Sequence, residues 1–446
     1  MKILKYILSA AILISAVSCK KFLDVEPRSS VSDEVTIVDG PSAKTALNGV
    51  YNALASSDYY GTSFQSLGYL NGDNIKWTGS QGYLNQFILH DVRSDNQALT
   101  SVWSAIFQTI NRANHVIEKV PTVTGLTDAE KNRIIGEAYF IRALSYFDLA
   151  RTWGGVQISL TPTTSAGDKN GLIKSTQVQT YAQVLNDLKA AEPLLPETVD
   201  RYHATKKTVW ALRARYHLYQ KEWADAEIYA AKVISDASNY QLLAPFSAFF
   251  ANNARGTKES VFELYYSATS TNGHRNSWQP GENGGTRQWA PNDAFVALVN
   301  DPLIGGNRNV LVAKTGSGLW YGNLYYRSPA TDPTYVIRTA ELYLIRAEAR
   351  AQLNNLSTVN GAASDLNAVR ARAGLLPTTA DTQNAILLAI ENERKIEFAE
   401  EPHRWFDLVR TGRANEVLGI TDANKLLMPI PLNQVSANNP QNPGYN

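Results

Sequence analysis

The sequence predicts an all-α fold: about four tetratricopeptide-like helical hairpins carrying a loop-rich face. Three observations predict it. Most of the chain repeats apolar residues at the 3.6-residue period of an amphipathic helix. Its later helices come in pairs whose contact positions are small, which lets neighbouring helices approach closely. Two long stretches, 58–97 and 239–334, break that period with Gly, Ser, Asn and Tyr.

The elements follow in chain order. "AKTALNGVYNALASS" (43–57) places Ala46, Leu47, Val50, Tyr51 and Leu54 on one face, and "SVWSAIFQTINRANHVIEKV" (101–120) does the same with Val102, Ile106, Ile110, Ala113 and Ile117. These two form the first hairpin. "EKNRIIGEAYFIRALSYFDLARTWG" (130–154) reads as a long buried helix closed by Gly154–Gly155, with "TYAQVLNDLKAAEPLLP" (180–196) as its antiparallel partner. Residues 206–236 read as two helices broken near Gln220–Glu222, with Ala226, Ala230 and Val233 at i, i+4 and i+7. "YVIRTAELYLIRAEARAQL" (335–353) with "GAASDLNAVRARAG" (361–374) makes the fourth pair, stopped by Gly374. The spacing is irregular, so this is a degenerate array.

Composition narrows the function. Hydrophobic residues at 44% and charged residues at 19% describe a globular chain. A net charge of +1 without a long basic run argues against nucleic acid, which needs a concentrated Lys/Arg surface. The excess lies in 22 Tyr and nine Trp, a composition suited to stacking. Structureless loops of this length are functional or disordered, and disordered segments are poor in aromatics. Residues 58–97 and 239–334 are therefore expected to hold the ligand.

The single cysteine sits in "ILISAVSCKKFLDVEP" (12–27). Alone it can close no intrachain disulfide. Lys2 and Lys5 precede an apolar run, Ile7 to Val17, that is too short for the roughly 20 residues of a membrane span. Small residues Ala16, Val17 and Ser18 then lead to the thiol. This is the pattern of a bacterial lipobox: residues 1–18 a signal peptide, Cys19 the lipidated first residue of the mature chain, and 19–446 one domain. The other reading is an ordinary signal peptide with a bystander cysteine.

Tryptophan placement points to the site. Trp103, Trp153, Trp210, Trp223 and Trp405 lie in or at the end of helical patterns, where core burial is expected. Trp77, Trp278, Trp289 and Trp320 lie among Gly, Asn, Ser and Thr, where no periodicity requires them. A flat indole stacks on the C–H face of a sugar ring while polar neighbours bond its hydroxyls. Asp73, Asn74, Arg287 and Tyr321 are the expected hydroxyl partners. The competing reading is a loop Trp that plugs its own small core. The loops at 58–97 and 267–330 are expected to converge on one side of the molecule, bringing Trp77 close to some of Trp278, Trp289, Trp320 and Tyr321.

The densest charged stretch, "ENERKIEFAEEPHRWFDLVRTGR" (391–413), offers carboxylates of the kind a glycosidase pairs and a histidine, His403, of the kind that serves as base. Arg394, Arg404 and Arg410 are interleaved with them, and each satisfies a carboxylate bidentately. A structural network is the expectation, with no catalytic residue. Six histidines form no i, i+4 pair and there is no second cysteine, so neither a metal site nor a cofactor is expected. The Gly-rich "IGGNRN" and "ENGGT" open no helix with Lys-Ser/Thr, which leaves phosphate binding unsupported.

Five stretches in order resemble the SusD/RagB-like family of outer-membrane nutrient-binding lipoproteins: "CKKFLDVEP", "GEAYFIRALSYFDLARTWGGVQI", "RTAELYLIRAEARAQL" with "LNAVRARAGL", "ERKIEFAEEPHRWFDLVRTGR", and "LLMPIPLNQVSANNPQNPGY". The resemblance implies a helical protein, not an enzyme, held on the cell surface by its lipid. It implies partners too: an oligosaccharide ligand (less often a peptide) and a SusC-type TonB-dependent barrel that receives it. A secreted glycosidase would predict a carboxylate pair on the loop face. An envelope adaptor would predict a peptide groove along the helices without carbohydrate affinity. The aromatic loops favour ligand capture over both.

Overall fold

The computed structural model describes residues 37–165 and 167–445. The lipobox and Cys19 lie outside them. Helices α1 (Gly40–Leu54), α4 (Gln97–Lys119), α5 (Asp128–Trp153) and α6 (Gln177–Ala191) pack side by side, followed by α7 (Lys206–Tyr219) and α8 (Trp223–Ile234). The last hairpin is α11 (Thr339–Gln352) on α12 (Ala362–Arg372), with α13 (Gln383–Glu397), α14 (Arg404–Arg410) and α15 (Ala414–Leu418) beyond it. All four expected hairpins are present.

Helix α5 shows why these segments fold as they do. Thr127 and Glu130 form a reciprocal capping box at its start, and Gly154 ends it at a φ of +77°. Every residue from Phe140 to Trp153 is buried, so the helix runs through the main core. The C-terminal tail closes over its end: Trp153 donates Nε1 to the Pro429 carbonyl at 2.9 Å, and Asn442 Nδ2 donates to the Trp153 carbonyl at 2.9 Å. A smaller cluster, with Leu344, Leu366, Val369, Ile386 and Ile390, packs α11, α12 and α13 together.

The structure departs from the sequence reading in three places. The expected helix 335–353 begins only at Thr339, because Thr334–Arg338 forms strand β6 against β2 (Ser260–Leu264). Both strands are wholly buried, and their β-branched and aromatic residues suit that environment. The segment 58–97 is not plain loop: it contains α2 (Ser63–Leu70), β1 (Ile75–Trp77) and α3 (Gly82–Ile88). Likewise 239–334 contains α9 (His274–Trp278), β3 (Trp289–Pro291), α10 (Asp293–Asn300), β4 (Val312–Lys314) and β5 (Trp320–Gly322). These are short pieces that lean on one another.

Trp103, Trp153 and Trp405 are buried as expected, but Trp210 and Trp223 are half-buried. Trp210 donates Nε1 to Glu192 at 2.8 Å, with the Lys207 and Lys232 ammonium groups over its ring. No helix among the described residues is long and apolar enough to cross a membrane.

Candidate functional site

Strands β1 and β3 pair antiparallel, with Ile75 opposite Pro291 and Trp77 opposite Trp289. Residues more than 200 positions apart in the chain thereby share one ladder. Strand β5 packs on β3 and pairs with β4. The two aromatic regions meet on one side of the molecule.

The four loop tryptophans divide into two classes there. Trp278 is fully buried and Trp289 is 2% exposed. Both rings pack on Tyr69, and they meet each other edge-on at 5.9 Å. A ring enclosed in this way offers no face to a sugar, so these two anchor the loops. Trp77 and Trp320 stay half-exposed. Trp77 lies across the turn that follows it: a Cβ at Gly79 would meet the Trp77 ring at 2.7 Å and would also collide with Gln288 Oε1. Tyr321 is buried, and its hydroxyl accepts weakly from Asn283 Nδ2 at 3.4 Å.

The expected hydroxyl partners have other work. Asp73 receives Arg404 Nε at 2.6 Å and Lys395 Nζ at 2.7 Å. Burial would raise its carboxyl, but these two cations outweigh burial and hold it below the usual carboxylate range. Asn74 is buried and donates Nδ2 to the Lys395 carbonyl at 2.9 Å. Arg287, at a φ of +43°, is a junction: its amide donates to Gln279, its carbonyl accepts from Thr78 Oγ1, and its Nε donates to the Trp320 carbonyl at 2.9 Å. All three hold the face in shape.

At Gln288 and Trp289, the latter the strand partner of Trp77, opens a pocket of about 340 Å³ that joins the two regions. Asp58, Ser63 and Ser66 line it from the start of α2, and Gln81 and Tyr83 from the start of α3. Gln97 and Ser101 line it from α4, and Asn276, Gln288 and Trp289 from the far segment. Two buried polar atoms of lining residues, Gln288 Oε1 and Trp289 Nε1, have no protein partner. Amides and hydroxyls beside aromatic edges suit a polyhydroxylated ligand. Apart from Trp289, the sequence reading missed this lining. Scattered Ser, Gln and Asn carry no periodic signal, and the amide-rich composition of the loops was the one trace.

A larger concavity, about 540 Å³, lies on the helical side between Trp223, Leu387, Leu388 and Arg413. Its charges pair with one another: Arg410 with Glu348 and Asp407, Arg394 with Asp407, and Arg413 with Glu391. The 391–413 stretch is thus a structural network, extended by arginines from elsewhere. Arg338 bonds Glu259, Glu397 and Glu401, while Arg308 bonds Glu393 and Glu397. Burial, and then the charge of Arg394 and its neighbouring arginines, hold His403 far below the ordinary histidine range, which unsuits it as a base. Among the described residues His217, Glu222 and Asp225 bring ligand atoms within 4.8 Å, but His217 Nδ1 already bonds Glu222 at 2.6 Å and both acids are exposed.

With this geometry in view, the comparisons agree at both ends of the chain. A family model described as "starch-binding associating with outer membrane" matches residues 21–218, and the "SusD family" model matches residues 321–424. The chain belongs to the SusD/RagB-like family. A SusD-like protein of Formosa agariphila is 26% identical over 90% of this chain and 90% of its own length. The starch-binding protein SusD of Bacteroides thetaiotaomicron is 31% identical over 31% of this chain and 26% of its own. Among solved structures, a laminarin-binding SusD-like protein superposes with a TM-score of 0.80 at 22% identity, covering 92% of this chain and 100% of that one. The surface glycan-binding protein A of Bacteroides fluxus does so at 0.77 and 21%, over 92% and 100%. The last three of these relatives are named for binding, and this chain is a binding protein rather than an enzyme.

Proposed function

We propose that the protein captures oligosaccharides at the outer membrane and delivers them to a SusC-type TonB-dependent barrel. The observation that carries this is the pocket of amides and hydroxyls lined by Trp289, whose strand partner Trp77 is half-exposed. Stacking of a ring on such an indole contributes about 1–3 kcal/mol by analogy with bases on aromatics. The relatives named for starch, laminarin and surface glycans support the ligand class, and the family description supports the outer membrane. Lipidation of Cys19 and residence on the cell surface complete the reading; two or three acyl chains anchor firmly, at roughly 0.8 kcal/mol per buried CH₂.

The test is retardation of the purified protein in gels containing soluble polysaccharides. Wild type should be retarded by at least one, and a Trp77→Ala/Trp320→Ala variant with unchanged circular dichroism should not. Equal retardation of both would remove the aromatic face from the mechanism. Cys19→Ala should move the protein to soluble fractions, and a barrel partner should co-purify in mild detergent.

A further inference from the structure

The pocket's charge says which glycans it admits, given the carbohydrate reading above on which this rests. We propose that it takes an uncharged sugar and discriminates against uronates, sialates and sulfate esters. Proteins recognise carboxylate and sulfate with Arg or Lys, whose fixed charge replaces the lost hydration. Among the described residues, none that lines this pocket is Lys, Arg or His. Its one charged member is Asp58, an exposed carboxylate.

The basic side chains around it are committed elsewhere. Lys76 pairs with Asp293 at 2.6 Å, and Arg93 pairs with Asp95 at 2.6 Å. Arg275 donates to the carbonyls of Tyr326, Gly284 and Asn283. Arg287 donates to Trp320. Lys314 stands over the Trp320 ring at 5.3 Å and does not line the pocket.

The two unpartnered buried atoms of the lining have opposite polarity: Trp289 Nε1 donates to a sugar oxygen, charged or not, so it is the acceptor that discriminates. Gln288 Oε1 is a buried acceptor without a protein partner, and Asp58 is an acceptor at the rim. Both require donors. A sugar hydroxyl donates, whereas an ionised carboxylate or sulfate has no hydrogen to give. A carboxylate or sulfate set against Gln288 Oε1 would leave that oxygen unsatisfied, and its charge would share the pocket with that of Asp58.

Matched polymers test this without altering the protein. Soluble starch, a β-1,3-glucan and a galactomannan are each compared with their own C6-carboxylated form by affinity gel electrophoresis of the full chain. The neutral polymer that retards should lose about ten-fold or more in affinity on carboxylation, from like-charge repulsion at the rim together with the missing cation. Asp58→Lys should then recover about five-fold on the carboxylated form without gain on the neutral one. Equal or tighter binding of a carboxylated form by wild type would overturn the inference while leaving glycan binding intact. No retardation by any polymer, neutral or acidic, would overturn the carbohydrate reading itself and this inference with it.

Discussion

Replacing Trp77 and Trp278 one at a time by alanine separates the two classes of loop tryptophan. Trp278 is fully buried against Tyr69, Trp289 and the backbone of Gly322, where a Cβ would collide with its ring. Emptying such a site costs about 3–5 kcal/mol for Trp→Ala, from lost transfer energy and the cavity left behind. Trp77 is half-exposed and packs against the core with one side, so its removal costs about 1–2 kcal/mol of stability. Its outer face is what a ligand would use, at roughly 1–3 kcal/mol, or about 5- to 150-fold in Kd. Thermal unfolding followed at 222 nm, run beside isothermal titration with the cognate oligosaccharide, reads both quantities. Trp77→Ala should unfold within a few degrees of wild type and bind far more weakly. Trp278→Ala should lose much of its melting temperature. Unchanged affinity in Trp77→Ala together with a stability loss as large as that of Trp278→Ala would refute the assignment and make Trp77 a core residue.

Three further outcomes are expected. Burial pushes the Glu400 carboxyl up to about 8, although the Asn323 and Leu324 amides donate to it; an unfolded glutamate titrates near about 4.3, so wild-type stability should fall by roughly 3 kcal/mol from pH 5 to 7.5, and Glu400→Gln, read by urea unfolding, should flatten that slope. Identical slopes would show that Glu400 is ionised throughout. Arg338→Lys should cost about 3–5 kcal/mol, since one ammonium cannot serve Glu259, Glu397 and Glu401 together, and a near-neutral result would mean that water relaxes the cluster. Asp73→Asn should destabilise by about 1–3 kcal/mol above about pH 4, and the difference should fade only as pH falls below that and through the depressed titration of the folded carboxyl, because a carboxylate held low contributes while it is ionised. Lost glycan binding at full stability would instead return Asp73 to the ligand.

The helical half of the fold was legible because its signals are local. The apolar period of α5, its glycine stop and the small residues of α8 can be read without knowing any neighbour. Strand β6 was not legible. "TYVIR" is a short apolar run that fits either period, and its partner β2 lies some 70 residues earlier. The same limit governs the site. Convergence of the aromatic regions followed from composition, but which rings face outward depends on the β1–β3 register and on Tyr69. Trp278 and Trp289 have polar neighbours in sequence and apolar ones in space. From sequence Asp73 reads as a hydroxyl partner, because its ion-pair partners Lys395 and Arg404 stand more than 300 residues away.

Those distant ion pairs explain how short elements can hold a binding face. Arg404 and Lys395 fasten the turn before β1 to α13 and α14. Glu400 grips the backbone just after β5, and Arg287 ties the turn before β3 to Trp320. Each fastening joins a loop to a helix or to another loop, and none would add much stability by itself, because desolvation offsets most of a buried pair's attraction. What they supply is geometry: Trp77, Gln288 and Trp320 are placed before any ligand arrives. A face ordered in advance spares the ligand most of the entropy of ordering it, so a few rings and amides suffice for binding. For the capture and hand-over proposed above, few contacts are also easily released.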